Sequence, residues 1–443
     1  MSAVTASEHK RRRKRLMRMM EPQSIAILPA APEVVRNRDV HYPYRQDSDF
    51  YYLTGFPEPE SMAVLIPGRR QAEYILFCRP RDEAKELWDG PRAGLEGARG
   101  LYGADDAFPI GDLEDILPGM LEQCSRVYYP IGTHPDLDRR LSEWVSGIRA
   151  KSRSGIQGPV EFIALDHHLH ELRLYKSRPE IAAMRAAARI SVEAHRHVMR
   201  VCRPGIWEFQ LEAEFVHACA TRGARAQAYP PIVGSGANAC VLHYVDNGHQ
   251  LRDGDLVLID AGCECDYYAS DITRTFPVNG RFTQAQRELY EVVLRAQEAA
   301  IARSIPGNHW NDPHEAAVLT LTRGLVELGI LKGTMRSVPK LIREEKYKPF
   351  FMHRTGHWLG MDVHDVGDYK IDGEWRLLEP GMVLTIEPGL YVPVGTEGVP
   401  ERYWGTGIRI EDDVALTEGG AEILTDGVPK SVAEIEAWMS GKG

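Results

Sequence analysis

Several features that define other protein classes are missing from this sequence of 443 residues. Its seven cysteines include no CxxC pair, which argues against a disulfide framework and favours buried free thiols in a reducing compartment. No apolar run approaches the length of a membrane span. The basic run at 10–15 is followed by a short apolar stretch that Arg18 interrupts, so it does not form a signal peptide. We therefore expect a cytoplasmic protein without a membrane partner, in which the basic run is the solvated face of a first helix.

Motifs of several enzyme classes are also missing. There is no Walker loop and no dinucleotide-binding fingerprint. The glycines at 233–236 lack the GxSxG frame of a serine nucleophile, and no cysteine lies in a known nucleophile context. A net charge of -10 argues against nucleic acid as the main partner. The composition is that of a soluble globular protein, and the length predicts two or three domains.

The first part of the chain, residues 1–172, is predicted to be an α/β domain. Short apolar strands bounded by proline and glycine are predicted at 24–28, 63–66 and 74–77, and helices at 112–121 and 135–148. This domain shows no obvious chemistry of its own. Residues 173–443 form the second predicted domain.

The second domain contains an internal duplication. Residues 254–262 and 381–389 each begin with a glycine, continue as a strand rich in leucine and β-branched residues, and close with a glycine. Each carries an acid six residues after its first glycine, Asp260 in one copy and Glu387 in the other. A long helix, a Pro-Gly pair and a second helix precede each strand, which predicts an α+β domain with pseudo-twofold symmetry. The seam between the two halves is the natural place for a site.

Capping patterns predict where the long helices of the two halves begin. Ser177 with Glu180, and Thr283 with Gln286, have the spacing of capping boxes. The long helices are predicted to end before the Pro-Gly pairs at 204–205 and 306–307, and the second helices to cover 207–220 and 312–328.

Four acids are predicted to meet at the seam. Besides Asp260 and Glu387, Asp271 lies in a predicted strand at 270–276, and Glu411 lies in a predicted strand at 407–416, on the same face as Arg409. Four converging carboxylates repel one another, and two divalent cations would balance them. Oxygen-rich ligation favours a hard ion such as Mn²⁺. The simpler alternative is that the acids are strand-edge charges paired with the arginines at 274 and 409.

Histidines complete the predicted site. His353, His357 and His364 occur close together, and His243 lies in a sequence context similar to that of His364, so these two are pseudo-symmetric candidates. The spacing of His353 and His357 is that of a zincin, but Arg354 stands where the catalytic glutamate would be, and a glycine between them disfavours a helix. For any one histidine alone, a buried structural role would be the simpler interpretation.

These residues resemble a known family. The set Asp260, Asp271, His357, Glu387 and Glu411 resembles the five metal ligands of the pita-bread metallopeptidases, which include methionine aminopeptidase, prolidase and the Xaa-Pro aminopeptidases. The likeness covers essentially the whole chain and is closest to the bacterial Xaa-Pro aminopeptidases. It rests on the motifs at 42–50, 54–56, 255–262, 271–277, 357–360 and 363–367. The loop at 368–376 is one residue longer than the family's pattern and differs in composition.

The resemblance implies a fold, an activity and a cofactor. The implied fold is a creatinase/prolidase-type α/β N-terminal domain followed by a pita-bread catalytic domain. The implied activity is hydrolysis of the bond between an N-terminal residue and a following proline, by a cytoplasmic enzyme that depends on Mn²⁺ and forms a homodimer or homotetramer. Its substrates would be peptides with proline at the second position.

The resemblance also implies the roles of the ligands. The five ligands would hold two ions bridged by a hydroxide, with Asp271 and Glu411 as the bridging carboxylates. Glu387 would carry a proton from the attacking water towards the leaving proline nitrogen.

Other residues are expected to contact the substrate or to support the ligands. By the same resemblance, His243, His353 and His364 bind substrate and move protons, and Tyr391 is a further candidate for contact with proline. Arg409 is expected to bind one of the ligand carboxylates without contacting the metal itself. Trp88 resembles a residue that, in family members, reaches into the active site of a neighbouring subunit. The alternative is that Trp88 simply packs within its own chain.

Two rival functions stay open. Prolidase uses the same ligands but cleaves only dipeptides. A non-catalytic binding protein on the same fold is less consistent with this chain, since such relatives typically lose ligands.

Overall fold

The computed structural model describes residues 4–441, which form two compact units that meet in the chain between Leu172 and Arg173. None of the helices in this part of the chain has both the length and the apolar character that crossing a membrane requires. All seven cysteines are free thiols and five of them are buried, as expected.

A six-stranded mixed sheet forms the centre of the N-terminal unit. Its strands lie in the order Asp106–Pro109, Tyr74–Cys78, Met62–Leu65, Ser24–Pro29, Arg126–Tyr129 and Glu161–Ala164. The unit also contains a short hairpin of Val35–Asn37 with Val40–His41. Its helices are Ala6–Met19, Ser48–Thr54, Glu83–Asp89, Gly94–Gly100, Leu113–Leu121 and Pro135–Ala150, and Leu165–Leu174 crosses the unit boundary. The three strands predicted from apolar runs are adjacent in the sheet, and the predicted α/β class is confirmed.

The basic run lies in the first helix, Ala6–Met19, but only part of it is solvated. Arg12 and Arg13 are buried. Arg12 donates to the carbonyl of Tyr52 at 3.1 Å, and Arg13 donates to the carbonyl of Leu53 at 2.7 Å. The prediction of a solvated face is therefore wrong for these two arginines, because carbonyls left free in the last turn of the next helix accept their hydrogen bonds.

Each half of the C-terminal unit begins with a pair of packed helices. Arg178–Val201 packs against Glu208–Ala220 in the first half, and Gln284–Ile301 against Asp312–Glu327 in the second. Both predicted capping boxes are present at the starts of the long helices. Two further helices are Val338–Arg343 and Val432–Met439.

The strand pairs of the two halves correspond to each other. Leu256–Asp260 pairs antiparallel with Thr273–Pro277, and Val383–Ile386 pairs antiparallel with Asp412–Thr417. The first strand of each pair ends at its acid or one residue before it. The other strands of the unit are Ala226–Gln227, Ile232–Ser235, Cys263–Cys265, Tyr268–Ala269, Lys370–Ile371, Glu374–Trp375, Gly389–Val392, Thr406–Arg409 and Gly420–Ile423. The predicted duplicated α+β fold is confirmed.

Two of the predicted acids lie beside strands and not within them. Asp271 precedes the strand Thr273–Pro277 by two residues, and Glu411 lies in the break between Thr406–Arg409 and Asp412–Thr417. The predictions of continuous strands at 270–276 and 407–416 are therefore wrong in detail. Outside the strand ladder, a carboxylate is free to turn towards a cavity instead of into the apolar core.

Buried polar contacts join the two halves. The Thr275 hydroxyl donates to the Arg409 carbonyl at 3.1 Å and accepts from the Arg409 N–H at 3.2 Å. Arg274 in the first half is fully buried and forms an ion pair of 2.7 Å with Asp412 in the second. These contacts set the positions of strands that carry acids from both halves.

Gly262 lies where two acid-bearing segments come together. A Cβ at this position would lie 1.7 Å from the carbonyl oxygen of Ser270. Since Asp260 and Asp271 flank this contact in the chain, the approach of the two segments helps to bring both acids to one place.

We expect Gly262→Ala to lower the free energy of unfolding by about 1–3 kcal/mol, as is usual for overpacked positions. Gly419→Ala is the matched control, because its Cβ would come no closer than 3.7 Å to another group, the Thr417 hydroxyl. Urea denaturation measures both variants. Equal stability of the two would contradict the close approach at Gly262.

Candidate metal centre and active site

One cavity in the C-terminal unit collects the predicted ligands and histidines. Its volume is about 930 Å³, within the range of ligand-binding cavities. Its lining comes from both halves and includes Asp260, Asp271, His357, Glu387, Glu411, His243, His353 and His364.

Three of the predicted ligands are close enough to share an ion. One ligand atom from each of Asp271, His357 and Glu411 lies within 4.8 Å of the other two. His357 Nε2 is 3.4 Å from Asp271 Oδ2 and 3.6 Å from Glu387 Oε1. The structure therefore brings acids from both halves around one imidazole.

A backbone contact orients His357 as a ligand. Its Nδ1 bonds to the carbonyl of Trp358 at 2.9 Å, which leaves Nε2 facing the carboxylates. Burial favours the neutral ring, but the hydrogen bond to Asp271 and the charge of Glu387 raise the pKa of His357 to about 9. In the metal-free protein a charged imidazolium therefore sits among the acids.

Three of the four carboxylates resist ionisation in the metal-free protein. Burial raises the pKa of Asp260, raises that of Glu387 to about 7 and raises that of Glu411 well above its usual range. Repulsion by Asp271 adds to the effect in all three. A divalent cation would remove this electrostatic cost, and carboxylate oxygens with one imidazole are donors that such an ion accepts. The residues present fit a metal centre.

Pairing with arginine accounts for only one of the four acids. Arg409 is buried and donates to Asp260 Oδ2 and, at 2.9 Å, to the Tyr391 hydroxyl. Arg274, the other expected partner, pairs with Asp412, which is not one of the four. Within residues 4–441 the other three acids thus have no arginine partner.

His353 lines the cavity as a neutral ring. Its Nδ1 bonds to the carbonyl of Arg354 at 2.7 Å, and its Nε2 lies 2.9 Å from the Tyr391 hydroxyl. Burial and the nearby charge of Arg409 lower the pKa of His353 to about 3. Near neutral pH its Nε2 therefore accepts a hydrogen bond from Tyr391.

His364 and His243 occupy the more open part of the cavity lining. The ring of His364 stands edge-on to that of His357, with 4.3 Å between ring centres. Burial and the neighbouring His357 lower the pKa of His364. Both exposed imidazoles are accessible to a bound peptide.

The sequence interpretation missed Tyr229. Its hydroxyl lies 2.7 Å from Asp260 Oδ1 and also contacts Asp271 Oδ1. Burial and the surrounding carboxylates raise its pKa well above its usual range, so it remains a hydrogen-bond donor. Tyr229 comes from an irregular segment between two short strands, where the sequence has no periodic pattern that could have indicated it.

Two further residues that position predicted ligands were missed. The Thr273 hydroxyl donates to Glu411 Oε2 at 2.5 Å. Asp413, which is buried, accepts the backbone N–H of Asp271 at 3.1 Å. The three consecutive acids at 411–413 were a usable signal, because an acidic run inside a predicted strand is unusual.

Trp88 belongs to the N-terminal unit, in the short helix Glu83–Asp89. The residue is 86% exposed. Ordinary packing within this chain therefore does not explain it, and its predicted contact with substrate stays a prediction.

Two family models match the chain, one in each unit. Residues 9–128 match the model described as aminopeptidase P, N-terminal domain, and residues 182–418 match metallopeptidase family M24. Over 440 residues the chain is 47% identical to the Xaa-Pro aminopeptidase of Escherichia coli (strain K12) and 43% identical to that of Haemophilus influenzae. Each alignment covers 99% of both chains.

Solved structures share the fold over the whole chain. The aminopeptidase PepP of Pseudomonas aeruginosa is 59% identical, with a TM-score of 0.98 over 100% of this chain and 99% of that one. Zinc-substituted E. coli aminopeptidase P in complex with product is 47% identical, with a TM-score of 0.96 over 99% of each chain.

The raised pKa of Glu387 predicts a pH-dependent stability in metal-free protein. The proton that folded Glu387 retains contributes stability below about pH 4.5, and this contribution is lost as the pH rises through about 7. Glu387→Gln is neutral throughout, so the chelated variant should gain free energy of unfolding relative to wild type between about pH 5 and pH 8. With a saturating divalent ion, wild type should instead have the higher free energy of unfolding.

Thermal unfolding across this pH range checks the prediction, with the exposed Glu397→Gln as control. A difference between wild type and Glu387→Gln that does not change with pH would contradict it.

Tyr229→Phe removes the hydroxyl shared by two ligands, and we expect it to weaken metal binding about tenfold, as is typical for groups that orient ligands. Calorimetric titration of chelated protein with Mn²⁺ measures the change. Tyr347→Phe serves as the control, since Tyr347 does not line the cavity. An unchanged affinity in Tyr229→Phe would show that this hydroxyl does not orient the ligands.

Proposed function

This chain belongs to metallopeptidase family M24 and shares its full length with the Xaa-Pro aminopeptidases, and on that basis we propose a mechanism that uses two metal ions. The predicted activity is confirmed: the chain is an exopeptidase that cleaves an N-terminal residue from a following proline. A divalent metal belongs to this chemistry. That there are two ions, and that they are Mn²⁺, is our proposal.

The five predicted ligands, Asp260, Asp271, His357, Glu387 and Glu411, would hold the ions. The observation that carries this proposal is the convergence of four carboxylates in one cavity, where Arg409 is the one arginine that pairs with any of them among residues 4–441. Two divalent ions would balance the four negative charges, and the preponderance of oxygen donors favours Mn²⁺.

When bound, the ions supply a water acidic enough to attack near neutral pH and polarise the carbonyl that is attacked. Glu387 accepts the proton of that water and delivers it towards the leaving proline nitrogen. Thr385 supports this role by donating its hydroxyl to Glu387 Oε1 at 3.3 Å. His364 lies next to His357 on the open side, where it stabilises negative charge that develops on the carbonyl oxygen.

Proline must be recognised without an N–H, because the Xaa–Pro bond is a tertiary amide. A hydrogen-bonded chain runs from Arg409 to the Tyr391 hydroxyl and on to His353 Nε2. This chain holds the neutral His353 ring at the cavity wall, where it contacts the proline ring, while the fully buried Tyr391 supports it from outside the cavity lining. His243, exposed in the same cavity, assists proton transfer.

The metal-ligand end of the cavity also explains exopeptidase behaviour. The neutral α-amino group of a peptide is a nitrogen donor that an ion held there would accept. Binding of that group there places the first peptide bond, and no later one, beside Glu387.

Three further predictions belong to this proposal. Residues 1–172 form the N-terminal domain and residues 173–443 the catalytic domain. The protein is a cytoplasmic homodimer or homotetramer. Trp88 contacts substrate bound to a neighbouring subunit, in keeping with its exposure.

Hydrolysis of Arg-Pro-Pro and Gly-Pro, paired with metal analysis, tests the mechanism. Protein supplied with Mn²⁺ should bind two ions per chain and release arginine from the tripeptide. Glu387→Gln should lower kcat by about 10³-fold, because a ligand and the proton carrier are lost together, whereas Glu397→Gln should not. Cleavage of the dipeptide alone would indicate a prolidase, and one bound ion per chain in active protein would rule out the two-ion mechanism.

A further inference from the structure

Besides the buried Arg409, two exposed cations, Arg354 and Lys370, line the catalytic cavity, and Trp375 lies beside them. We call Arg354, Lys370 and Trp375 the cationic ledge. Lys370 Nζ lies 4.4 Å, and Arg354 Cζ 4.9 Å, from the centre of the Trp375 ring. The ring attracts both cations and so holds two positive charges close together.

Local chain geometry fixes one side of the ledge. Lys370 is paired directly with Trp375 across a hairpin. The hairpin turns through Asp372 and Gly373, whose φ angles of 50° and 87° are those of a type I′ turn. The Trp375 carbonyl is bonded to His309 Nδ1 at 2.8 Å, which ties the hairpin to the body of the unit.

Neither cation is neutralised within the part of the chain that the structure describes. Arg354 donates to the uncharged amide oxygen of Asn311 at 2.5 Å. No carboxylate of residues 4–441 lies within 4.0 Å of the charged nitrogens of Arg354 or Lys370. Glu315, the acid on that side, bonds to Asn311 instead. Both exposed cations are therefore available to a ligand in the cavity.

The ledge lies close along the chain to two histidines that would contact the substrate. Arg354 directly follows His353, and Lys370 lies in the loop that follows His364. These two histidines are the residues assigned above to the proline ring and to the attacked carbonyl, so this inference rests on the proposed function. Since Arg354 and Lys370 share the cavity with these histidines, the part of the substrate beyond the proline would pass the cations.

We propose that the cationic ledge binds a carboxylate of the leaving peptide and makes the enzyme prefer substrates that carry one just after proline. The carboxylate is either the side chain of Asp or Glu after proline or the C-terminus of a tripeptide. An arginine and a lysine side by side offer a carboxylate several N–H donors at once.

Four tripeptides distinguish the two sources: Ala-Pro-Glu and Ala-Pro-Gln, each with a free and with an amidated C-terminus. If the side chain is bound, kcat/KM should be about fivefold higher for the Glu amide than for the Gln amide, an effect typical of exposed ion pairs. If the C-terminus is bound, each free peptide should exceed its amide by a similar factor. High salt should reduce either ratio.

Whichever kcat/KM ratio is raised in wild type should fall to about one in the double variant Arg354→Gln with Lys370→Gln. Arg354→Lys should retain most of that preference because the charge remains. Arg336→Gln and Lys332→Gln remove exposed cations outside the cavity and should keep the wild-type ratios. Ratios near one for wild type, or ratios that the double variant keeps, would overturn this inference while the exopeptidase function stands. Failure to cleave any of the four peptides would contradict the proposed function and this inference with it.

Discussion

Four carboxylates share one cavity with a single buried arginine, and the balance of this charge governs the rest of the site. Burial and mutual repulsion disfavour their ionised forms in the metal-free protein. The acids nevertheless stay together, because contacts away from the cavity, such as the Arg274–Asp412 ion pair, join the two halves that carry them. Contacts between the two halves thus offset the electrostatic cost of gathering the acids, and a bound metal would remove that cost. Metal affinity is therefore coupled to the contacts that join the halves.

The cavity would present different groups to the two ends of a peptide. In the proposed mechanism the metal ligands lie at the α-amino end, and Arg354 and Lys370 lie towards the part of the peptide that leaves. Between them, His353 is kept neutral by burial and by the charge of Arg409. In the proposed mechanism, the metal ligands and the cationic ledge thus orient the substrate, and the neutral contacts between them select proline.

The acids of the site could be found in the sequence because each conflicts with its local pattern. Asp260 and Glu387 end apolar strands where burial of a lone charge is costly, and the duplication repeats the conflict. The capping boxes could be found for a different reason: they depend only on residues three apart in the chain. The ends of the strands near Asp271 and Glu411 could not be found in the sequence. The strand ladder ends there because of the geometry of the cavity, and not because the residues have low strand propensity.

The sequence by itself determined the ligand types, the duplicated halves and the starts of the long helices, because these depend on neighbours in the chain and on periodicity. Only the tertiary structure decided which charges meet. Arg274 and Arg409 were equal candidates for the acids, yet only Arg409 reaches one of the four. Tyr229 contacts two of the predicted ligands, and Lys370 and Arg354 lie over one tryptophan ring, because packing brings together residues that no local pattern connects.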